Sequence, residues 1–241
     1  MNARIVAMSL QLDWCSFQAA EVACKKWHYS HSIPTGKIVK IGVWEDGKFI
    51  GVVLFSRGAT PMIGSPYGLK QTEVCELTRV ALTEHKTPVS RIIAIAIRML
   101  KKFAPGLRLI VSYADLDQGH SGGIYKAGNW IYEGVNNAGG RGGIIVHGKR
   151  YHPKTVHSMY GTGGQPIAWL RENIDPNAHA VVTRGKHKFS MPLDDEMRAA
   201  LKPKSKPYMR GKQSDVAVGF QPTEGGSTPT TTHQSIPQVI I

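Results

Sequence analysis

Apolar positions set out most of the elements before any chemistry is considered. Val89, Ile92, Ile93, Ala96, Ile97, Leu100 and Phe103 recur at helical spacing, while Arg98, Lys101 and Lys102 fall off that face. The pattern predicts an amphipathic helix with Thr87 as N-cap, Pro88 at the first helical position and Pro105-Gly106 as its stop. On one side lies a strand over 76–82. On the other lies 107–115, whose centre Leu109-Ile-Val-Ser112 reads as a parallel strand buried on both faces. Two such strands joined by this helix make a right-handed crossover. The helix then begins beside the end of the first strand, where its free N–H groups favour a phosphate. A short helix near Gln118–Tyr125 and a strand over 129–134 complete this central stretch.

The remaining pattern is built around it. Ile5 to Leu10 reads as a first strand, followed by a helix capped by Asp13, apolar at Trp14, Phe17, Val22 and Cys24, and closed by Lys25-Lys26. The loop Trp27–Pro34 is rich in aromatics and histidines. Strands over 38–44 and 49–55 are joined by Glu45-Asp-Gly-Lys48, a hairpin signal. Residues 57–71 form a Gly/Pro-rich loop, and 136–143 a basic, glycine-rich one. Short strands at 144–146 and 149–151, a helix at 166–172, a strand at 185–193 and a helix at 196–201 capped by Asp194 follow. From Gln221 the Thr, Pro, Gly and Ser content predicts a disordered tail, 221–241. The expected organisation is one domain over 1–220 that includes a basic extension at about 136–212.

Charge narrows the partner. The 241 residues carry 30 Lys+Arg against 17 Asp+Glu, a net +13, which points to a polyanion. Between Arg184 and Lys212 there are nine basic and three acidic residues. Three cysteines, Cys15, Cys24 and Cys75, show no metal-ligand spacing and suit a reducing cytoplasm rather than a disulfide framework. No run approaches the ~20 apolar residues of a membrane span.

The order β-α-β-β-β-α-β-α-β with a donor site at the start of the central helix resembles the GNAT acyltransferase superfamily. The implied fold class is α+β: a central mixed, twisted sheet flanked by helices, with a basic C-terminal extension. Ile124–Gly134 is similar to that superfamily's second sequence block, which implies a tyrosine, Tyr125, near the departing group. Where the superfamily carries a glycine-rich pyrophosphate loop, this chain has Thr83-Glu-His-Lys-Thr-Pro-Val-Ser-Arg91.

A more specific resemblance rests on Lys26-Trp-His-Tyr-Ser30, Glu76-Leu-Thr-Arg-Val80, Ser112-Tyr-Ala-Asp115, His120-Ser-Gly122 with Tyr125, Asn129–Gly134 and Lys186–Leu193. These blocks resemble the Mom DNA-modification family of Mu-like phages. The resemblance implies conversion of adenine N6 in double-stranded phage DNA to a carbamoylmethyl amine, in the host cytoplasm, so that restriction endonucleases are resisted. Adenine N6 is paired in the duplex, so the base has to be flipped out; Trp27, Tyr29 and the 57–71 loop are candidates to hold it.

The site residues follow. His28 is a candidate general base, since imidazole titrates near neutrality, with Tyr29 beside it. Asp115 ends the buried strand, where such sheets present chemistry. Ser112 and Tyr113 point to opposite faces, and alternation places Tyr113 with Asp115. Glu76, His120 and Tyr125 complete the catalytic candidates. Val80, Leu82, Thr87, Ser90 and Arg91 make the donor side. Arg141, Lys149, Arg184, Lys186, Lys188 and Arg210 are candidates for DNA phosphates.

Simple acetyl transfer gives an amide, whereas the implied product has N6 bonded to a methylene carbon. Two routes are compatible with that bond. One is radical chemistry with acetyl-CoA and iron, for which His28, Asp115 and His120 could converge. The other is aminoacylation by glycyl-tRNA followed by rearrangement. The competing classes are an N-acyltransferase acting on protein and a non-catalytic DNA-binding protein, although no helix-turn-helix is evident.

Overall fold

In the computed structural model the described residues are 9–208, apart from 59 and 162–165. The expected strand at 5–10 therefore lies almost wholly outside them, as do Arg210 and the tail 221–241. The first strand, β1 (Leu10–Trp14), starts where that expectation ended. It is followed by α1 (Phe17–Trp27), β2 (Ile38–Glu45), β3 (Lys48–Ser56), a 3-10 helix (Pro61–Tyr67), β4 (Val74–Leu82), α2 (Val89–Phe103) and β5 (Leu109–Asp115). A 3-10 turn (Leu116–Gln118), α3 (Gly123–Ala127) and β6 (Ile131–Asn136) close the β-α-β-β-β-α-β-α-β order. Then come β7 (Arg141–Val146), β8 (Lys149–Tyr151), α4 (Pro153–Tyr160), α5 (Pro166–Asn173), β9 (His179–Val182), β10 (Lys186–Pro192) and α6 (Asp195–Leu201).

Seven strands form one mixed sheet in the order β1-β2-β3-β4-β5-β10-β6. Its neighbours are antiparallel except β4 and β5, the two strands that the α2 crossover joins. The fold class is the α+β mixed sheet flanked by helices that the order predicts. One feature differs. The basic segment is no appendage, because β10 pairs with both β5 and β6. Between β6 and β10 the chain builds a separate sheet, β8-β7-β9, closed by Ile144, Val146, Val156, Leu170 and Ala178. The glycine-rich loop expected at 136–143 is thus partly strand.

α2 covers one face of the large sheet with Ile92, Ile93, Ala96, Ile97 and Leu100. Each fully buried branched side chain contributes about 1.5–3 kcal/mol. Phe103 falls past the sheet and is exposed against Trp14, ring centroids 5.1 Å apart. α1 and α6 cover the opposite face. α1 packs through Ala20, Ala23 and Cys24, not through Trp14, Phe17 and Val22, which are exposed. Small residues let the helix approach Val52, Leu54 and Ala81 closely.

Two predicted caps are corrected. Asp13 lies in β1, and Ser16 caps α1 by accepting from the Ala19 N–H at 3.1 Å. Pro88, not Thr87, is the N-cap of α2 and makes no side-chain cap bond. The β2–β3 turn is as expected. Asp46 and Gly47 both take positive φ, 51° and 77°, the conformation of a tight hairpin. Asp194 caps α6, accepting from the Met197 N–H at 2.7 Å.

Candidate active site

The parallel ladder between β4 and β5 is short: Val74 pairs with Leu109, Cys75 with Ile110 and Glu76 with Val111. Beyond Glu76 the two strands part. Ser112, 1 % exposed, spans the opening and places its Oγ 2.8 Å from the Leu77 carbonyl. The same Oγ is 2.8 Å from the Tyr125 hydroxyl. A carbonyl only accepts, so the single serine proton goes to Leu77, and Ser112 receives the tyrosine proton. Burial pushes the Tyr125 phenol up to about 12, so it stays protonated. Phe189 of β10 stacks on its ring at 4.9 Å, and Trp130 meets it edge-on at 5.1 Å.

His28 ends α1 as its C-cap and is 9 % exposed. Its Nδ1 accepts the Ser30 backbone N–H at 3.1 Å and lies 2.8 Å from Ser30 Oγ. An N–H only donates, so the neutral ring carries its proton on Nε2. Burial, then Arg79 and the nearby His120 and His31, push its pKa down to about 3. The general-base role expected of His28 needs the opposite tautomer at Nε2; here that nitrogen is a neutral donor. Tyr29, 43 % exposed, lies beside His28 at 4.3 Å and edge-on to His120 at 5.0 Å. Burial pushes the His120 pKa down, opposed by Asp115.

The β5 strand settles the choice between Ser112 and Tyr113. Its register against β10 has no bulge, so the two point to opposite faces. Ser112 joins Tyr125, and Tyr113 packs with Tyr67 on the other face. Burial first, then Glu76 and Glu133, push the Tyr113 phenol up to about 12. Asp115 is engaged at both oxygens. Oδ1 accepts the Asp117 N–H at 3.0 Å and Oδ2 stands 3.4 Å from Lys186 Nζ. Glu76 is half-buried at the last position of β4 that pairs with β5. Among the described residues no group of three or more His, Cys, Asp or Glu is placed to hold a metal ion. His28, Asp115 and His120, the three residues that could have converged on iron, are not such a group.

Two base-holding candidates are also reassigned. Trp27 packs into the α1 core against Phe49, ring centroids 6.2 Å apart. The 57–71 loop contains the 3-10 helix Pro61–Tyr67, with Ile63 in the core. On the donor side, Val80 and Leu82 pack against the α2 core, Ser90 is half-buried and Arg91 exposed. Thr87 is buried and bound to Glu45. The Glu45 carboxylate accepts the Lys86 N–H at 2.8 Å, the Thr87 N–H at 2.8 Å and the Thr87 hydroxyl at 2.6 Å. The phosphate expected there meets a carboxylate.

The candidate DNA residues divide. Lys149 is exposed, over the Tyr151 ring. Lys186 is half-exposed beside Asp115. Arg184 is exposed, with Nε 3.6 Å from Asp117 and a further bond to the Leu116 carbonyl. Lys188 is instead enclosed, 3.4 Å from Glu133 and over Tyr67 at 4.8 Å. Arg141 lies at the start of β7.

Sequence reasoning gave no role to three residues. Arg79 follows a bulge in β4 that aims it at the α1 side. Its Nε is buried without a hydrogen-bond partner, while Nη1 donates to the Thr78 carbonyl at 2.8 Å. A lone cation between Thr78 and Val80 on a strand was the available signal. Asp117 ties the small sheet to the end of β5. It accepts from Thr183 Oγ1 at 2.8 Å, the Arg184 N–H at 3.0 Å and Arg150 at 3.3 Å, which hold it down at about 2. Glu45 is the third; a hairpin position gave no sign of it.

Against known proteins, the sequence pattern of the Mom protein family matches residues 9–210. The chain belongs to the Mom protein family. One relative in that family, methylcarbamoylase Mom of Escherichia phage Mu, is 25 % identical over 185 residues, which cover 75 % of this chain and 72 % of the phage protein. Among solved structures, a provisionally assigned acetyltransferase of Acinetobacter baylyi ADP1 aligns at 11 % identity and a TM-score of 0.44, over 79 % of this chain and 96 % of its own. A provisionally assigned phosphinothricin N-acetyltransferase aligns at 13 % and 0.44, over 78 % and 100 %. No helix among the described residues of this Mom-family chain is long and apolar enough to cross a membrane.

Proposed function

We propose that this chain modifies adenine N6 in double-stranded DNA to the carbamoylmethyl amine, in the cytoplasm of a phage-infected cell. The observation that carries the reading is the hydroxyl chain Tyr125–Ser112–Leu77, set where β4 and β5 part, in a member of a family whose phage Mu relative is named a methylcarbamoylase. Tyr29 and His120 offer aromatic surface to a flipped adenine. Exposed Lys149, Arg184 and Lys186 meet backbone phosphates. Lys188 takes no part, because its ion pair with Glu133 is enclosed.

The donor is an activated acyl group, acetyl-CoA or glycyl-tRNA. The glycyl ester accounts for the product without a change of oxidation state. N6 attacks the ester carbonyl and expels the tRNA 3′ hydroxyl, giving an N6-glycyl amide. The glycyl amine then attacks C6 through a five-membered ring, the C6–amide bond breaks, and N6–CH2–CO–NH2 results. Tyr125, protonated at neutral pH, gives its proton to the departing oxygen. The neutral His28 Nε2–H donates to the acyl oxygen as charge develops there.

Two measurements test this. DNA from cells expressing the chain resists restriction endonucleases that cut at adenine-containing sites, and DNA from a Tyr125→Phe control is cut. With glycine labelled at nitrogen, the label appears on the amine attached to C6. Label in neither nitrogen of the modified base overturns the glycyl route.

A further inference from the structure

A cavity of about 340 Å³ lies where β4 begins and α2 ends. Its floor is apolar: Phe55, Val74, Cys75, Leu100 and Leu107 are all buried. The backbone carbonyls at this end of α2 are already satisfied. The Leu100 carbonyl accepts the Ala104 N–H at 2.8 Å, the Ala104 carbonyl accepts the Leu107 N–H at 3.1 Å, and the Leu107 carbonyl accepts from Lys101 Nζ at 2.7 Å. Burial, then Glu76, push the Cys75 thiol up to about 12, so its sulfur is a neutral, polarizable wall and not a nucleophile.

The rim has the opposite character. Ile38 pairs with Ser56 at the open end of the β2–β3 ladder. Lys37 and Arg57 occupy the next position on each chain, and both line the cavity. Both are exposed, and among the described residues neither is in an ion pair. No Asp or Glu is among the described residues that line the cavity. Like charges at opposed strand positions repel, so an anion between them relieves a cost that the fold bears. An apolar floor with a few convergent charges at its edge suits a small amphiphile. A cavity of ~150 Å³ holds benzene, so this one takes a body of roughly ten carbons.

We propose that this cavity binds a medium-chain carboxylate, with its chain against Cys75 and Leu100 and its head between Lys37 and Arg57. The proposal is independent of adenine modification, because none of the residues given a part in that reaction lines the cavity.

The test is a titration of the methyl-labelled full chain with decanoate, following Val74, Leu100 and Leu107. Saturable shifts at these methyls are expected, and affinity rises about fourfold per added methylene from hexanoate to decanoate. Decyltrimethylammonium, with the same chain and the opposite head charge, leaves the methyls in place. Lys37→Glu with Arg57→Glu changes two exposed side chains and weakens decanoate about tenfold. Lys25→Glu with Lys48→Glu makes the same change of net charge elsewhere on the surface and leaves decanoate binding as it was. Methyls that stay in place at millimolar decanoate overturn the proposal, and this arm needs no variant. Equal binding of the ammonium, or equal weakening by the two double variants, overturns it as well.

Discussion

The Ser112 hydroxyl stands 2.8 Å from the Tyr125 hydroxyl, at the first position past the last β4–β5 pair. A side chain thus closes the gap that the backbone ladder leaves open, and it does so with a group that can pass a proton. Ser112→Ala leaves the Leu77 carbonyl and the Tyr125 hydroxyl without this partner and lowers stability by about 1–3 kcal/mol. Tyr125→Phe keeps the ring stacked on Phe189 and removes only the proton donor. It loses ~10²–10⁴ in turnover with little change in melting temperature. Single-turnover rates beside thermal denaturation separate the two.

His28 sets a pH dependence. Its folded pKa, about 3, lies below the ordinary histidine value of 6.5. Between those values the unfolded chain binds the proton and the folded chain does not. Stability is therefore full above pH ~6.5 and falls as pH drops towards ~3, by up to ~1.4 kcal/mol per pH unit. Urea midpoints measured from pH 7 to pH 4 show this fall. In His28→Gln the slope is shallower by one proton.

The basic residues separate by a salt titration. Lys149→Ala with Lys186→Ala reduces the slope of log affinity against log salt by about two, one per phosphate lost. Lys188→Ala leaves the slope unchanged. It instead destabilises the fold by about 1–3 kcal/mol, because it strands the Glu133 carboxylate, which also accepts from Tyr67 at 2.6 Å and from Ser190.

Asp117→Ala releases Arg150, Thr183 and the Arg184 N–H together. Amide exchange quickens across the β8-β7-β9 sheet while Ile110, Val111 and the rest of β5 keep their protection. Uniform loss of protection would contradict the assignment of Asp117 as the tie between the two sheets.

The large sheet was legible because its helices and strands follow plain periodicity, as at Ile92 to Leu100. The site was legible in part. Tyr125, Ser112 and His28 were named, but the pairing of Ser112 with Tyr125 depends on where the β4–β5 ladder ends, and no local pattern records that. Alternation placed Tyr113 with Asp115 correctly on one face, yet it gave no means of telling which face carries Tyr125. α1 was misread because Ala20 and Ala23 look neutral on an apolar scale that favours Phe17 and Val22. Glu45 is 42 residues from Thr87 in sequence, and only the β2 hairpin brings it to α2.

Adenine modification itself is read out by mass analysis of nucleosides. DNA is taken from cells expressing the full chain, and from cells expressing Tyr125→Phe. Deoxyadenosine carrying a carbamoylmethyl group on N6 is expected in the first sample and its loss in the second. Unmodified adenine in both, with the chain folded and expressed, would contradict it.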